Sequence, residues 1–147
     1  MRSFILALVA VAASTSGTAS AQAPGISTEF GEPYIRIAQL SPPGATQLVV
    51  GQSLNMKVRV QYILEVDAGK VDVVIRDPDG NTVAQASQNA TRGKHYVVLP
   101  LQLDVPATQS LTVTSILSAE GMDKPIGTDH RSYMRISYGG ALPKPGR

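Results

Sequence analysis

This 147-residue sequence predicts an all-β domain, a two-sheet antiparallel sandwich of about seven short strands. Three observations carry that expectation. Apolar residues recur at every second position through much of the chain. The stretches that hold them are short and are separated by proline, glycine, asparagine and aspartate. No segment keeps the 3.6-residue period of a helix over a useful length. A period of two sends successive side chains to opposite faces of a strand, so each stretch builds one core row and one outward row.

A different pattern precedes the first strand. Met1-Arg2 gives a positive start, Phe4 to Ala13 is an unbroken apolar run, and Ala19-Ser20-Ala21 closes it with small residues. An export machinery and its signal peptidase read that order, so residues 1–21 are expected to be removed and the mature chain to begin at Gln22. Cleavage after Ala23 is the alternative, but it places the rigid ring of Pro24 just past the cut. Only Arg2 precedes the apolar run, which favours the general secretory route over the twin-arginine route. The expected destination is the periplasm or the extracellular space. The chain has no cysteine, hence no thiol to acylate and no disulfide. No later segment approaches the roughly eighteen apolar residues that a membrane span needs, so no membrane insertion is expected after cleavage.

Tyr34 to Leu40 supplies the first strand, ended by Pro42-Pro43-Gly44. From Gly51 onward, Leu54, Met56, Val58, Val60, Tyr62 and Leu64 alternate with Asn55, Lys57, Arg59, Gln61 and Ile63. One face of that strand is core and the other is wet. Lys70 to Arg76 repeats the pattern with Val71, Val73 and Ile75 inward. Asp77-Pro78-Asp79-Gly80-Asn81 then favours a tight reversal through its φ preferences and side-chain hydrogen bonds, and the hairpin returns through Thr82 to Ser87. Arg92-Gly93 predicts the next turn. Beyond it, Val97, Leu99, Leu101 and Leu103 alternate with Tyr96, Val98, Pro100 and Gln102. Pro100 marks either a bulge or a residue whose backbone nitrogen points away from a partner. Asp104 to Gln109 makes the corner into Leu111, Val113, Ser115 and Leu117. A looser loop, Ser118 to Thr128, leads to a last strand near Arg131 to Tyr138, where Met134, Ile136 and Tyr138 share a face.

The predicted layout is a signal peptide at 1–21, an N-terminal arm at 22–32, the sandwich at 33–138 and a flexible tail at 139–147. Ile26, Thr28 and Phe30 alternate with Ser27 and Glu29, so the arm has the pattern of an extra strand. The strands between resemble the immunoglobulin-like and fibronectin type III-like modules of bacterial exported proteins. Ser53 to Leu64, the Asp77 to Asn81 turn and Leu103 to Val113 carry the resemblance. It implies Greek-key connections, with the first, second and fifth strands in one sheet. The core tryptophan and disulfide pair of antibody-type domains are absent.

Charge narrows the partners. Loss of Arg2 leaves twelve basic against eleven acidic residues, a formal charge of +1 on about 126 residues. That is too little for the strong positive field of a nucleic-acid or anionic-membrane binder, and nucleic acid is set aside. The chemistry of catalysis is also thin. There are two histidines, His95 and His130, no cysteine, and no G-x-S-x-G turn for a nucleophile. A serine-histidine-acid site would need the fold to assemble it, and no enzyme is expected. His130, Met134 and Met122 are donors of the kind a copper carrier uses, but Met134 falls in phase with Ile136 and Tyr138 as a core residue would, so no metal site is expected. Asp77, Asp79 and Asn81 resemble a fragment of a calcium loop, yet the glycine directly follows Asp79 and no bidentate glutamate stands downstream, so a hairpin turn accounts for them. No cofactor is expected. Asn89-Ala90-Thr91 matches the N-glycosylation acceptor in an expected turn and matters only in a eukaryotic source.

One surface stands apart. Tyr96 falls on an outward row with Val98, and the topology implied by the resemblance brings Arg36, Lys57, Arg59 and Tyr96 to one outer face. Such a face suits an anionic glycan or an acidic partner surface, although lysine and arginine there also protect a solvated sheet from edge-to-edge pairing. The function expected is that of an exported, non-enzymatic binding or accessory structural module with a protein or cell-surface partner, association of like copies being left open. The alternatives are a subunit of an extracellular assembly joined by the arm as an added strand, and a periplasmic ligand- or metal-binding protein.

Overall fold

The computed structural model describes residues 30–139. The expected signal peptide, residues 22–29 of the arm and residues 140–147 of the tail lie outside the described residues. The elements are β1 (Tyr34–Ser41), β2 (Leu48–Val49), β3 (Ser53–Arg76), β4 (Thr82–Asp104), β5 (Leu111–Ala119), β6 (Gly127–Tyr133) and β7 (Ile136–Ser137). Among the described residues there is no helix, and the all-β antiparallel class is as the periodicity predicts.

The main sheet is built on one long hairpin. β3 has 24 residues and β4 has 23, and they pair from Ser53↔Asp104 to Arg76↔Thr82. β1 lies along the first half of β3, from Tyr34↔Ile63 to Ser41↔Lys57, and β5 lies along the second half, from Gly69↔Ala119 to Arg76↔Thr112. β6 extends the sheet beyond β5, and β2 and β7 form a separate two-stranded parallel pair. The sheet curls into a half-barrel. Its curl brings β1 beside β6, where the Ile37 amide donates to Asp129 Oδ2 at 2.8 Å.

Two expected breaks are bends. Ser53 to Leu64 and Lys70 to Arg76 read as separate strands, but β3 runs through both with a bulge between Leu64 and Ala68. Arg92-Gly93 was expected to reverse the chain and instead lies inside β4. Gly93 takes a φ of +111° and pairs with Leu64 at the edge of that bulge, so the two strands turn together and neither doubles back. For the same reason Asn89-Ala90-Thr91 sits within β4, with Asn89 exposed, and not in a turn. Pro100 shows the second of its two expected readings. The register runs without a shift through Lys57↔Pro100, and among the described strands β4 pairs with β3 alone, so the missing donor falls on an open edge.

The hairpin turn follows its chemistry. The Asp77 carboxylate accepts from the amides of Asp79 and Asn81 at 3.0 and 2.9 Å, and from the Asn81 side chain at 3.0 Å. The Asn81 side chain first, then the backbone amides, hold the Asp77 carboxyl below its ordinary value.

The core is the inner surface of the curl. Met56, Val58, Val60, Tyr62 and Leu64 from β3 meet Val71, Val73 and Ile75 from its second half, with Leu99, Leu111, Val113 and Leu117 opposite. Tyr62 also donates structure at its polar end, where its hydroxyl accepts from the Thr91 amide at 3.1 Å. In β1 the register shifts between Ile37 and Gln39, which turns Leu40 inward after Ile35 and Ile37.

The C-terminal strand differs from its expected form. β6 ends at Tyr133, which is fully buried and donates to the Pro42 carbonyl. Met134 and Tyr138, expected to share a core face with Ile136, are 70% and 68% exposed. The break after Tyr133 lets Ile136 and Ser137 leave the main sheet and pair in parallel with Leu48 and Val49, so the alternation is not that of one continuous strand.

Candidate binding face

β1, the first half of β3 and the second half of β4 lie side by side, and their registers define the outward rows. Arg36, Gln61 and Tyr96 form one row. Gln39, Arg59 and Val98 form the next, and Ser41, Lys57 and Pro100 the third. All four residues singled out from strand phase, Arg36, Lys57, Arg59 and Tyr96, therefore stand on one face. β1 to β3 to β4 is the spatial order that brings them there.

Side-chain contacts link the rows. Arg36 Nη2 donates to Gln61 Oε1 at 2.7 Å. The Arg59 guanidinium lies over the Tyr96 ring, 4.5 Å from its centroid. Arg59 and Tyr96 are diagonal neighbours, a spacing that long and aromatic side chains span across a strand pair. Tyr96 and Val98 remain half exposed, and Gln39, Ser41, Lys57, Arg59 and Val98 line a shallow depression of about 160 Å³. Among the described residues none of the three cations is paired with a carboxylate. The nearest acid in register on this face is Asp104, which lies beyond the Asn55–Gln102 row and accepts from Ser53 Oγ at 2.8 Å. The face thus combines positive charge with an exposed aromatic ring.

Gln61 was placed on the polar row by its phase, but its burial was not foreseen. It is only 3% exposed because Arg36 of the neighbouring strand covers it. The signal was lateral, since only the β1 register brings Arg36 over it.

Other clusters offer less. A larger hollow of about 520 Å³ lies at the bend of the hairpin, between Asp67, Lys70, Asn89 and Glu120, but Lys70 is already paired with Asp72 at 3.2 Å. His95 belongs to β4 and hydrogen-bonds Arg92 O at 2.9 Å, while His130 is exposed on β6, with β3 and β5 between those strands. The fold does not draw the two histidines together. Among the described residues, no group of three or more histidine and acidic side chains is arranged to hold a metal ion.

No family model matches the chain, and no curated protein matches it. Solved structures do. A glycosyl hydrolase family 2 member from Bacteroides cellulosilyticus aligns with a TM-score of 0.54 and 17% identity, over 69% of this chain and 14% of that one. The likeness is one of fold. A putative β-galactosidase from Bacteroides fragilis aligns at 0.51 and 17% identity, over 70% of this chain and 17% of that one. A bacterial adhesin from Mobiluncus mulieris aligns at 0.50 and 10% identity, over 67% and 52% of the two chains. The chain therefore spans less than a fifth of either hydrolase and about half of the adhesin chain. It is similar to β-rich modules of larger proteins.

Proposed function

We propose that this protein is an exported, non-enzymatic immunoglobulin-like module that binds a carboxylate-bearing polysaccharide through the outer face of β1, β3 and β4. The observation that carries the reading is the stacking of Arg59 on Tyr96 beside Arg36 and Lys57, three cations that have no carboxylate partner among the described residues. Arginine and lysine attract the uronate carboxylates, and the half-exposed Tyr96 with Val98 gives the apolar faces of sugars something to rest on. The fold neighbours support the accessory part of the reading, because in the glycosyl hydrolases the matched piece is a small share of the chain, and one neighbour is an adhesin. The charged, small-residue-flanked N-terminus supports export. A face with no assembled nucleophile or paired acids supports binding without turnover.

The test is calorimetric titration with polygalacturonate and, as the neutral control, dextran. Wild-type protein is expected to bind the uronate polymer and not dextran, with affinity that falls as salt rises. Lys57→Glu with Arg59→Glu should abolish binding, and Tyr96→Ala should weaken it at least tenfold. Unchanged affinity in the charge-reversed protein removes this face, and absence of heat with the wild type removes the ligand class.

A further inference from the structure

Among the described residues the hairpin leaves one edge of the sheet without a partner strand, and its two halves are unlike. β4 is paired on one side by β3 along its length, and among the described residues no other strand pairs with its far side. The half from Arg92 to Asp104 carries the usual protections of an edge, namely Arg92, Lys94, Pro100 and the bend at Gly93. The half from Thr82 to Thr91 carries only the bulge at Val83, beside the hairpin turn. Its ten residues, Thr82-Val83-Ala84-Gln85-Ala86-Ser87-Gln88-Asn89-Ala90-Thr91, include no charge and no proline.

We propose that this uncharged half-edge pairs with the same half-edge of a second copy, antiparallel about a two-fold axis near Ser87. Self-pairing accounts for the absence of charge around Ser87. At a two-fold axis Ala86, Ser87 and Gln88 lie opposite or beside their own copies, so a charge at any of them would be brought near a like charge. A partner of different sequence imposes no such condition, and a charged partner would favour charge of the opposite sign.

The register follows from the pleat, because residues directly opposite must share a face. With Ser87 on the axis, Gln85 faces Asn89 of the second copy. These residues form the outer row. On the inner row Ala84 faces Ala90 of the second copy, and Ala86 faces its Gln88. Ala84 and Ala86 are partly buried and pack against the core already, so the second copy continues the inner surface past its present margin. The alternate backbone amides and carbonyls of Thr82–Thr91 that turn away from β3 gain partners, and the two curled sheets become one sheet with β4 at its centre. This inference uses an edge, not the β1–β3–β4 outer face, and stands or falls independently of the polysaccharide reading.

The test measures molar mass by sedimentation over a wide concentration range, on protein produced from the full chain and purified as the expressing cell processes it, its N-terminus read by mass spectrometry. The expected result is a monomer that becomes a dimer as concentration rises. Gln85→Lys with Asn89→Lys, both at exposed positions, is expected to halve the mass at the highest concentration while circular dichroism keeps the β spectrum. Because the chain has no cysteine, Ser87→Cys under oxidation should give a covalent dimer, while Gln102→Cys, on the protected half of β4, should not. The cysteine pair decides the matter if the lysine variant fails to fold. A wild type that stays monomeric throughout overturns the proposal. So does a dimer that survives both lysines, which would point to the N-terminal arm, and so does cross-linking through residue 102 in preference to residue 87.

Discussion

Burial pushes the Tyr133 phenol up to about 12, and the consequence has a definite sign. In the unfolded chain a tyrosine ionises near pH 10, so the folded protein holds this proton more tightly than the unfolded one does. The stability that Tyr133 contributes is fully present below about pH 10 and is lost as pH rises through about 12. Its hydroxyl donates to the Pro42 carbonyl, which anchors the end of β1 to the end of β6. Tyr133→Phe is expected to cost about 1 kcal/mol near neutral pH, by leaving that carbonyl without its donor. The same variant should flatten the alkaline fall. Thermal unfolding of both proteins from neutral to strongly alkaline pH checks this, and parallel curves would exclude Tyr133 as the source.

Among the elements, the bend in the hairpin decides most. The bulge after Leu64 and the left-handed Gly93 across from it let the first half of β3 pair with β1 and the second half with β5. Gly93→Ala would force a Cβ into a φ of +111° and bring it 3.2 Å from His95 Nε2. A loss of about 1 to 3 kcal/mol is expected in chemical denaturation. A loss near zero would mean that β4 can bend elsewhere.

This element also marks where the sequence stops being legible. The alternation from Leu54 to Leu64 is complete, and so is the turn chemistry from Asp77 to Asn81, because both depend on neighbours in sequence. Glu65 to Gly69 has no alternation, and Arg92-Gly93 has the composition of a turn. Their continuity as strands comes from pairing with each other, which a linear reading does not contain. The outer face followed the same division. Arg36, Lys57, Arg59 and Tyr96 could be placed by strand phase, whereas the burial of Gln61 and the stacking of Arg59 on Tyr96 required the lateral registers. Met134 and Tyr138 misled the phase argument because the strand that would have carried it ends at Tyr133.

For the molecule as a whole, the uninterrupted β3–β4 hairpin removes any seam between the two halves of the curled sheet. A sandwich of two separate sheets can loosen one layer at a time, but here the same two backbones serve both ends. Opening at one end must pull on strands that hold the other. Such a protein should behave as a single cooperative unit, with no partly open form stable enough to populate. Native-state amide exchange at Val60, beside β1, and at Val73, beside β5, is therefore expected to report one common opening free energy and one common sensitivity to denaturant. Two distinct values would mean that the bend acts as a hinge between independent parts. A shared value would make the hairpin a continuous beam, through which strain applied at the outer face of β1, β3 and β4 reaches the far end of the domain.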